Sequence, residues 1–488
     1  MRLMYLRYFC CMRRILTLCL LITTVSAKAQ SEDVWSLQKT INYALDHNIS
    51  IQQNELNKRL VKLTNFQNKL SQLPNVNSSA ALGRSFGRSV DPTTNQFVQG
   101  TSYDFLSLSG NADVLLFGWF QKRNQISASK YNYLAATADL EQLRNDVSLN
   151  VATGYLRALL AKEQVKVSEK QVELSYAQLA QTRKFAEAGR LPELNVAQLE
   201  AQLASDSANL ITAISDYTSS ILDIKALLNL DFQVPFSVDV PNANLGMFNM
   251  DASLTPEDIF IQAAKNFGTI RSSDYKLKAT QKSFWAAKGA LLPQLGMGAQ
   301  LGSNWSSTVK EYTGFNITGI KPTGDIVPVL DTVLNVYRYD GTYTTKDVPL
   351  SKQLDNNFRQ TVSLSLNIPL FNGWQAQYSV KQAKINMLSQ ELNKYQAELK
   401  LRQDVYKAYN DAKNAIQKYN AADRATNAAQ RAFDFAQKRY DLGLTNTVEY
   451  LTTQNNLYTA SANLAKAKYD LIFKLKVIDY YLGKELKL

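Results

Sequence analysis

The chain has 488 residues and a formal charge of +12, from 54 Lys and Arg against 42 Asp and Glu. Basic and acidic residues are interspersed without blocks, which describes solvated helix faces and excludes a nucleic-acid footprint. A single histidine, His47, and three cysteines confined to the N-terminal end leave no pattern for a His-rich metal site, a thiolate cluster or Ser-His-Asp catalysis. No catalytic residue, metal or cofactor is expected.

The N-terminus carries Arg13 and Arg14, an apolar run from Ile15 to Val25 and the tail Ser26-Ala27-Lys28-Ala29. That order is a secretory leader with an A-x-A cleavage site, so residues 1–29 are expected to be removed on export. The run is about half the ~20 residues that a membrane-crossing helix needs. Met12 opens a more typical leader than Met1 does. Cys10, Cys11 and Cys19 depart with the leader, none behind a convincing lipobox, and the charge falls to +7 once its five basic residues are lost. No later segment reads as a transmembrane helix, so any crossing of a membrane must be made by a closed β-barrel.

Residues 30–230 read as a first structural repeat. A helix over 33–72 reaches Leu73-Pro74, and proline suits a strand entrance better than a helix interior. Two strands follow, at about 75–88 and 101–117. In the second, Leu106, Leu108, Ala112, Val114 and Leu116 face one way and Ser107, Ser109, Asn111 and Asp113 the other, the alternation a membrane barrel requires. The aromatic cluster Phe117-Gly118-Trp119-Phe120 places Phe117 and Trp119 at a membrane interface. Next comes a helix from about 119 to 187, roughly 100 Å of rise at 1.5 Å per residue. Its seam Val147, Val151, Gly154, Ala158, Ala161, Val165, Ser168, Val172, Ser175, Leu179, Thr182, Ala186 keeps heptad spacing. Gly189 and Pro192 stop it and start the next helix, which runs to about Leu228. Residues 231–255 form a connector.

The second repeat, 256–488, has the same order. Leu73-Pro74, Ala44 and Ile51 recur 219 residues later as Leu292-Pro293, Ala263 and Ile270; after the strands the offset is 254, as in Val151/Val405, Tyr155/Tyr409 and Gly189/Gly443. The extra 35 residues fall between its strands, about 293–307 and 359–371, as a Thr-, Gly-, Tyr- and Asp-rich loop over 309–358. Long barrel loops lie outside the cell, so this loop is read as extracellular. Phe371 and Trp374 repeat the interface aromatics, and the second helical turn spans 441–446.

The duplicated order of helix, two strands, long helix, Gly turn and helix, the Leu-Pro before each first strand, and the passage Tyr440-Asp441-Leu442-Gly443 through Leu457-Tyr458 together resemble the TolC family of outer-membrane efflux and secretion channels. The resemblance covers the whole mature length. It implies a mainly α fold with β, in which a homotrimer closes a twelve-stranded transmembrane barrel, four strands per protomer, continued by a long α-helical periplasmic barrel. It implies an outer-membrane exit duct, not an enzyme, working with a periplasmic adaptor (membrane fusion protein) and an inner-membrane RND, ABC or MFS transporter. Its partners would be these and outer-membrane lipid, with no nucleic acid. The helix tips Gly189, Arg190, Leu191, Gly443, Leu444 and Thr445 would meet the adaptor. A periplasmic gate would fall at Tyr440 and Glu449, with Thr445 where the family has a basic residue and Thr452 where it has a second acid. A ring of three Glu449 carboxylates would repel one another and attract cations. The competing reading is a periplasmic coiled-coil adaptor or scaffold, which has long helical hairpins but lacks paired alternating strands.

Overall fold

The computed structural model describes residues 34–87, 89–90, 97–98, 102–240 and 254–484. The leader with its cysteines and most of the connector lie outside the described residues, as do residues 88 and 101 at the ends of two expected strands. In chain order the first repeat comprises β1 (Val34–Trp35), α1 (Leu37–His47), α2 (Ile49–Leu70), β2 (Asn75–Ser85), β3 (Ser89–Val90), β4 (Phe97–Val98), β5 (Tyr103–Phe117), α3 (Gln121–Glu187) and α4 (Glu193–Leu228). After β6 (Ser237–Val238) the second comprises α5 (Pro256–Asn266), α6 (Gly268–Gly289), β7 (Gln294–Ser306), β8 (Lys310–Val329), β9 (Thr332–Asp347), α7 (Leu350–Asn356), β10 (Arg359–Asn367), α8 (Gln375–Asp441) and α9 (Thr447–Tyr481). Contacts divide the chain into two units: Met1–Val61, Asn132–Leu277 and Gln390–Leu488 form one, Lys62–Tyr131 and Lys278–Ser389 the other.

The opening helix of each repeat differs from the single span expected. Both are broken at equivalent residues, Asn48 and Phe267, whose ψ of 125° is extended. Asn48 ends α1 and restarts α2, its Oδ1 accepting from the backbone N–H groups of Ser50 (3.0 Å) and Ile51 (3.3 Å). At the second break Gly268 donates its N–H to Gln142 Oε1 at 3.0 Å. A Cβ on Gly268 would overlap the Ala138 carbonyl oxygen and stand 2.8 Å from Gln142 Cβ. Glycine is needed there for close approach, not for an unusual φ.

In the strand-bearing unit the order is β10-β7-β5-β2, antiparallel throughout. Register sorts the side chains by face. Leu82, Leu106 and Trp305 share one row, Val76, Ala112, Ala299 and Val362 another, and Val114, Met297 and Leu364 a third. Between them, on the opposite face, lie the rows Asn77, Asn111, Gln300, Thr361 and Asn75, Asp113, Gly298, Ser363. The apolar face ends in an ion pair, Arg84 Nε to Asp104 Oδ1 at 2.6 Å. A bulge corrects the expected alternation at its other end: the register slips between Leu115 and Phe117, so Leu116 is the extra residue and Phe117, opposite Leu295, takes its place. The final strand stops at Asn367 rather than near residue 371, because Pro369 has no N–H for the ladder.

The 309–358 segment is not an irregular loop. β8 and β9 pair over most of their length as a separate two-stranded hairpin, and α7 returns the chain to β10. Gln353 of α7 anchors the base of the hairpin, accepting from the Ser306 N–H and donating to the Ser306 and Val348 carbonyls, each within 3.0 Å.

Among the described residues the two largest apolar clusters of the helical unit are centred on equivalent positions of the two repeats. Ala44, Ile51, Val151, Ala158 and Ile224 centre the first; Ala263, Ile270, Val405, Ala412 and Ile478 centre the second at the equivalent positions. β1 pairs with β6 in parallel, tying the start of the first repeat to the connector. The buried Tyr155 hydroxyl donates to the Trp35 carbonyl at 2.8 Å and lies 3.0 Å from that of Asp239. Gln142, besides capping Gly268, donates to the Tyr480 hydroxyl at 2.8 Å, and Tyr480 donates to Asp146 at 2.5 Å.

Gly268→Ala is expected to lower stability by about 1–3 kcal/mol through overpacking, read as a lower denaturant midpoint of the detergent-purified protein; an unchanged midpoint would show that the helix break tolerates a side chain. Burial raises the hydroxyls of Tyr155, Tyr450 and Tyr480 above the usual tyrosine range and those of Tyr469 and Tyr481 to about 12. The unfolded chain then releases these protons first, from about pH 10, so their contribution to stability is constant below that pH and falls as pH rises past it. The denaturant midpoint should decline above about pH 10, and less steeply in Tyr469→Phe/Tyr481→Phe; equal slopes would refute the assignment.

Candidate functional site

Two helical turns in the helical unit are built alike. Helix α3 is followed by Gly189 at φ +72°, and α8 by Gly443 at φ +72°. In both, the glycine N–H reaches back to the residue three before it and the next N–H to the residue five before that one: Arg190 to the Phe185 carbonyl and Leu444 to that of Arg439, each at 2.8 Å. This satisfies the last carbonyls of each helix and needs the left-handed φ that glycine alone adopts without strain. The following helices start differently. Pro192 precedes Glu193 in the first turn, whereas Asn446 caps α9 by accepting from the Glu449 N–H at 2.8 Å. Gly189, Arg190, Gly443 and Leu444 are exposed and Leu191 and Thr445 partly so; Arg190 covers the Phe185 ring at 4.7 Å.

The second turn carries a polar cluster that the first lacks. Glu449 pairs with Arg439 Nη1 at 3.1 Å and accepts from the Thr445 hydroxyl. Tyr440 is buried, its hydroxyl 3.2 Å from that of Thr182 and 3.3 Å from that of Thr447. Thr452 bonds back to the Val448 carbonyl within its own helix. Arg439 was missed in the sequence. Its signal was the pair of stop and start residues: Gly443 and Asn446 fold α8 back on α9 so that positions ten apart meet across the turn. In the first repeat Phe185, Ala186 and Asn195 occupy the equivalents of Arg439, Tyr440 and Glu449.

Beside this cluster the long-helix seam turns polar. Asp206 is almost fully buried. It accepts from Ser175 (2.6 Å), Gln171 (3.2 Å) and Gln202 (3.0 Å), and Gln454 donates to Ser175 at 2.9 Å, so α3, α4 and α9 meet through hydrogen bonds. The neighbouring Tyr450 lies 4.8 Å from the Tyr440 ring, centroid to centroid, and is fully buried, yet its hydroxyl has no partner among the described residues.

In the strand-bearing unit, the turn from strand to long helix uses two successive left-handed residues in both repeats, Trp119 (φ 49°) with Phe120 (φ 62°) and Gly373 (φ 63°) with Trp374 (φ 67°). The long helices therefore start at Gln121 and Gln375, two residues later than expected for the first. Large aromatics in that region cost on the order of 1–2 kcal/mol each. Phe117 packs on Trp119 at 5.4 Å, Lys381 lies over Trp374 at 5.0 Å, and Phe117, Trp119, Phe371 and Trp374 all remain exposed.

Residues 40–230 and 261–483, one stretch in each repeat, match the outer membrane efflux protein family. The chain belongs to that family. Its fold is that of solved channels: CusC, at TM-score 0.74 and 17% identity over 92% of both chains; OprN, at 0.72 and 18% over 92% of this chain and 90% of the other; and the Campylobacter jejuni CmeC outer membrane channel, at 0.72 and 19% over 92% and 85%. No curated protein sequence matches it. As an outer membrane efflux protein with a duplicated chain, it carries the Arg439–Glu449 pair on one turn of two.

Two adjacent tyrosines should respond oppositely to loss of the hydroxyl. Tyr440→Phe removes two hydrogen-bonding contacts and is expected to cost about 1 kcal/mol, while Tyr450→Phe removes a buried, unpartnered hydroxyl and should be neutral or stabilising by about 1 kcal/mol. Denaturant midpoints that shift in the same direction would contradict the hydrogen-bond pattern around Tyr440.

Proposed function

We propose that three copies of this chain close a twelve-stranded barrel in the outer membrane, continued by their helices as a duct across the periplasm. The observation that carries this reading is the sheet: one face apolar, the other polar, with β2 and β10 as open edges. In lipid, unpaired edge groups cost several kcal/mol apiece, so such a sheet must be closed by further copies of itself. Exposed stripes at heptad spacing support the same assembly. On α8, Ile385, Leu388, Leu392, Tyr395 and Leu399 are each 45–68% exposed, and on α2 Leu56, Leu60 and Leu63 are exposed as well. Such stripes are the seams that helices of neighbouring copies bury.

The polar rows Asn77, Asn111, Gln300, Thr361 would line a wet lumen, and the rows around Val362 and Leu364 would face lipid. Phe117, Trp119, Phe371 and Trp374 would stand at the membrane interface. Transport is passive: the duct serves as the exit of a tripartite efflux or type I secretion system and performs no chemistry. A periplasmic adaptor would dock on the tips around Gly189 to Leu191 and Gly443 to Thr445, joining the duct to an RND, ABC or MFS transporter. Tyr440, Arg439 and Glu449, with Thr445 and Thr452, would form the periplasmic constriction. Because Arg439 compensates Glu449 within one copy, this ring is less repulsive than three bare carboxylates. The leader, removed at Ala29, directs the chain to this location.

The mature chain purified in detergent is expected to run as a heat-modifiable trimer and to conduct in planar bilayers. Leu364→Arg on the apolar face should cost about 2–4 kcal/mol at mid-membrane and abolish insertion, whereas Ser363→Arg on the polar face should insert and alter conductance. A monomer without conductance, or equal effects of the two variants, would overturn the reading.

A further inference from the structure

The inserted hairpin is sided more sharply than its sequence. Opposed residues of a pair share a face, and β9 alternates without interruption while β8 slips three times, between Tyr312 and Gly314, Ile317 and Gly319, and Pro322 and Ile326. Each of the first two slips bulges out one residue that would have reversed the pattern, and the third takes up two extra residues and keeps it. The pairs Phe315 with Tyr343, Ile320 with Tyr339 and Pro322 with Tyr337 therefore fall on one face, together with Tyr312, Ile317, Ile326 and Val333. Ring contacts agree: Tyr343 lies 5.2 Å from Tyr312 and 4.8 Å from Phe315, centroid to centroid. The opposite face holds the paired Lys321 and Arg338, the paired Glu311 and Lys346, and an ion pair of Lys321 with Asp340 at 2.6 Å, and is apolar only towards the tip, where Val327 pairs with Leu334.

The apolar face is bare within one copy, its large residues 40–72% exposed. At the areas typical of such side chains it amounts to on the order of 1,000 Å², beyond what a soluble surface ordinarily leaves uncovered and enough for one side of a stable interface. Lipid does not suit as its cover. Among the described residues β8 and β9 pair only with each other, so both outer edges carry free N–H and carbonyl groups that hydrocarbon would leave unsatisfied. The hairpin leaves from β7 and returns to β10, an edge strand of the sheet. Its base thus lies at the boundary with the next copy in the assembly proposed above, on which this inference rests.

The geometry points to the same face of the neighbouring copies as the cover: three hairpins pack apolar face to apolar face beyond the outer end of the barrel. Tethering at adjacent strands holds the faces at an effective concentration in the millimolar range without further contacts. Tyr337, Tyr339 and Tyr343 form the centre of this interface, and the Lys321–Asp340 face stays in water.

The mature chain lacks cysteine, so single cysteines report contacts directly. Full-length Tyr339→Cys and Asp340→Cys proteins, purified in detergent and oxidised, are compared on denaturing gels, with unheated gels reporting the trimer. Trimers with a disulfide-linked dimer for Tyr339→Cys and none for Asp340→Cys are the expected result. Trimers in which neither variant links, or both link equally, overturn the inference and leave the trimer intact. Absence of the trimer in both variants and in the parent overturns the assembly and the inference together. As a second measurement, Tyr337→Ser/Tyr339→Ser/Tyr343→Ser should lower the temperature at which the trimer dissociates, and an unchanged temperature counts against the interface. In whole cells, linkage of Tyr339→Cys to a different protein would assign the face to a foreign partner instead.

Discussion

A sheet in hydrocarbon has no water to satisfy its edges, and in the assembly proposed above that constraint organises this chain. Each copy supplies four antiparallel strands with sorted faces and two open edges, β2 and β10. The register places Val362, Leu364 and Leu366 beside Ala299, Met297 and Leu295, and these beside Ala112, Val114 and Phe117, so the apolar face is continuous across strands drawn from both repeats. In the proposed trimer the edges vanish and the exposed stripes on α2 and α8 become buried seams. Strand closure and helix packing then demand the same partner, which is why no part of the assembly can be completed by one copy alone.

Duplication supplies the architecture, and the departures from it give the two repeats their differences. Val151 and Val405, or Ile224 and Ile478, hold equivalent places in two cores. Asn48 and Phe267 break equivalent helices by different means, one with its own side chain as cap and one with Gln142 reaching across to Gly268. The helix turns share the glycine stop, yet Arg439, Tyr440 and Glu449 stand where the first repeat has Phe185, Ala186 and Asn195. The inserted hairpin likewise belongs to the second repeat alone. The proposed trimer would alternate two kinds of tip around its axis and carry three long hairpins, the first repeat having only the short pair β3 and β4 at that place.

The long helices change character along their length. Around Val151 and Ala158 the seam is apolar and dry; around Ser168, Ser175 and Thr182 it is held by hydrogen bonds to Asp206, Gln454, Tyr440 and Tyr458. Satisfied polar contacts fix register, and they stabilise less per contact than apolar packing does once exchange with water is counted.

Much of the fold was legible in the residues because it rests on local periodicity. Val362 to Ile368 alternate with period two, the seam from Val147 to Ala186 keeps heptad spacing, and offsets of 219 and 254 expose the repeat. Gly189 and Gly443 could be read as turns because left-handed backbone has few occupants. Other features arise between segments distant in sequence and leave no period to read. Only the register could show that Leu116 is bulged and that Phe117 replaces it on the apolar face. Only the fold of α8 onto α9 could bring Arg439 to Glu449, and two slips in β8 collect Tyr312, Phe315, Ile317 and Ile320 on one face although their spacing in the chain is irregular. Sequence by itself determined which elements form, since helix and strand patterns are written in near neighbours; tertiary structure decided which side chains meet, since that depends on register and on turns that no single segment specifies.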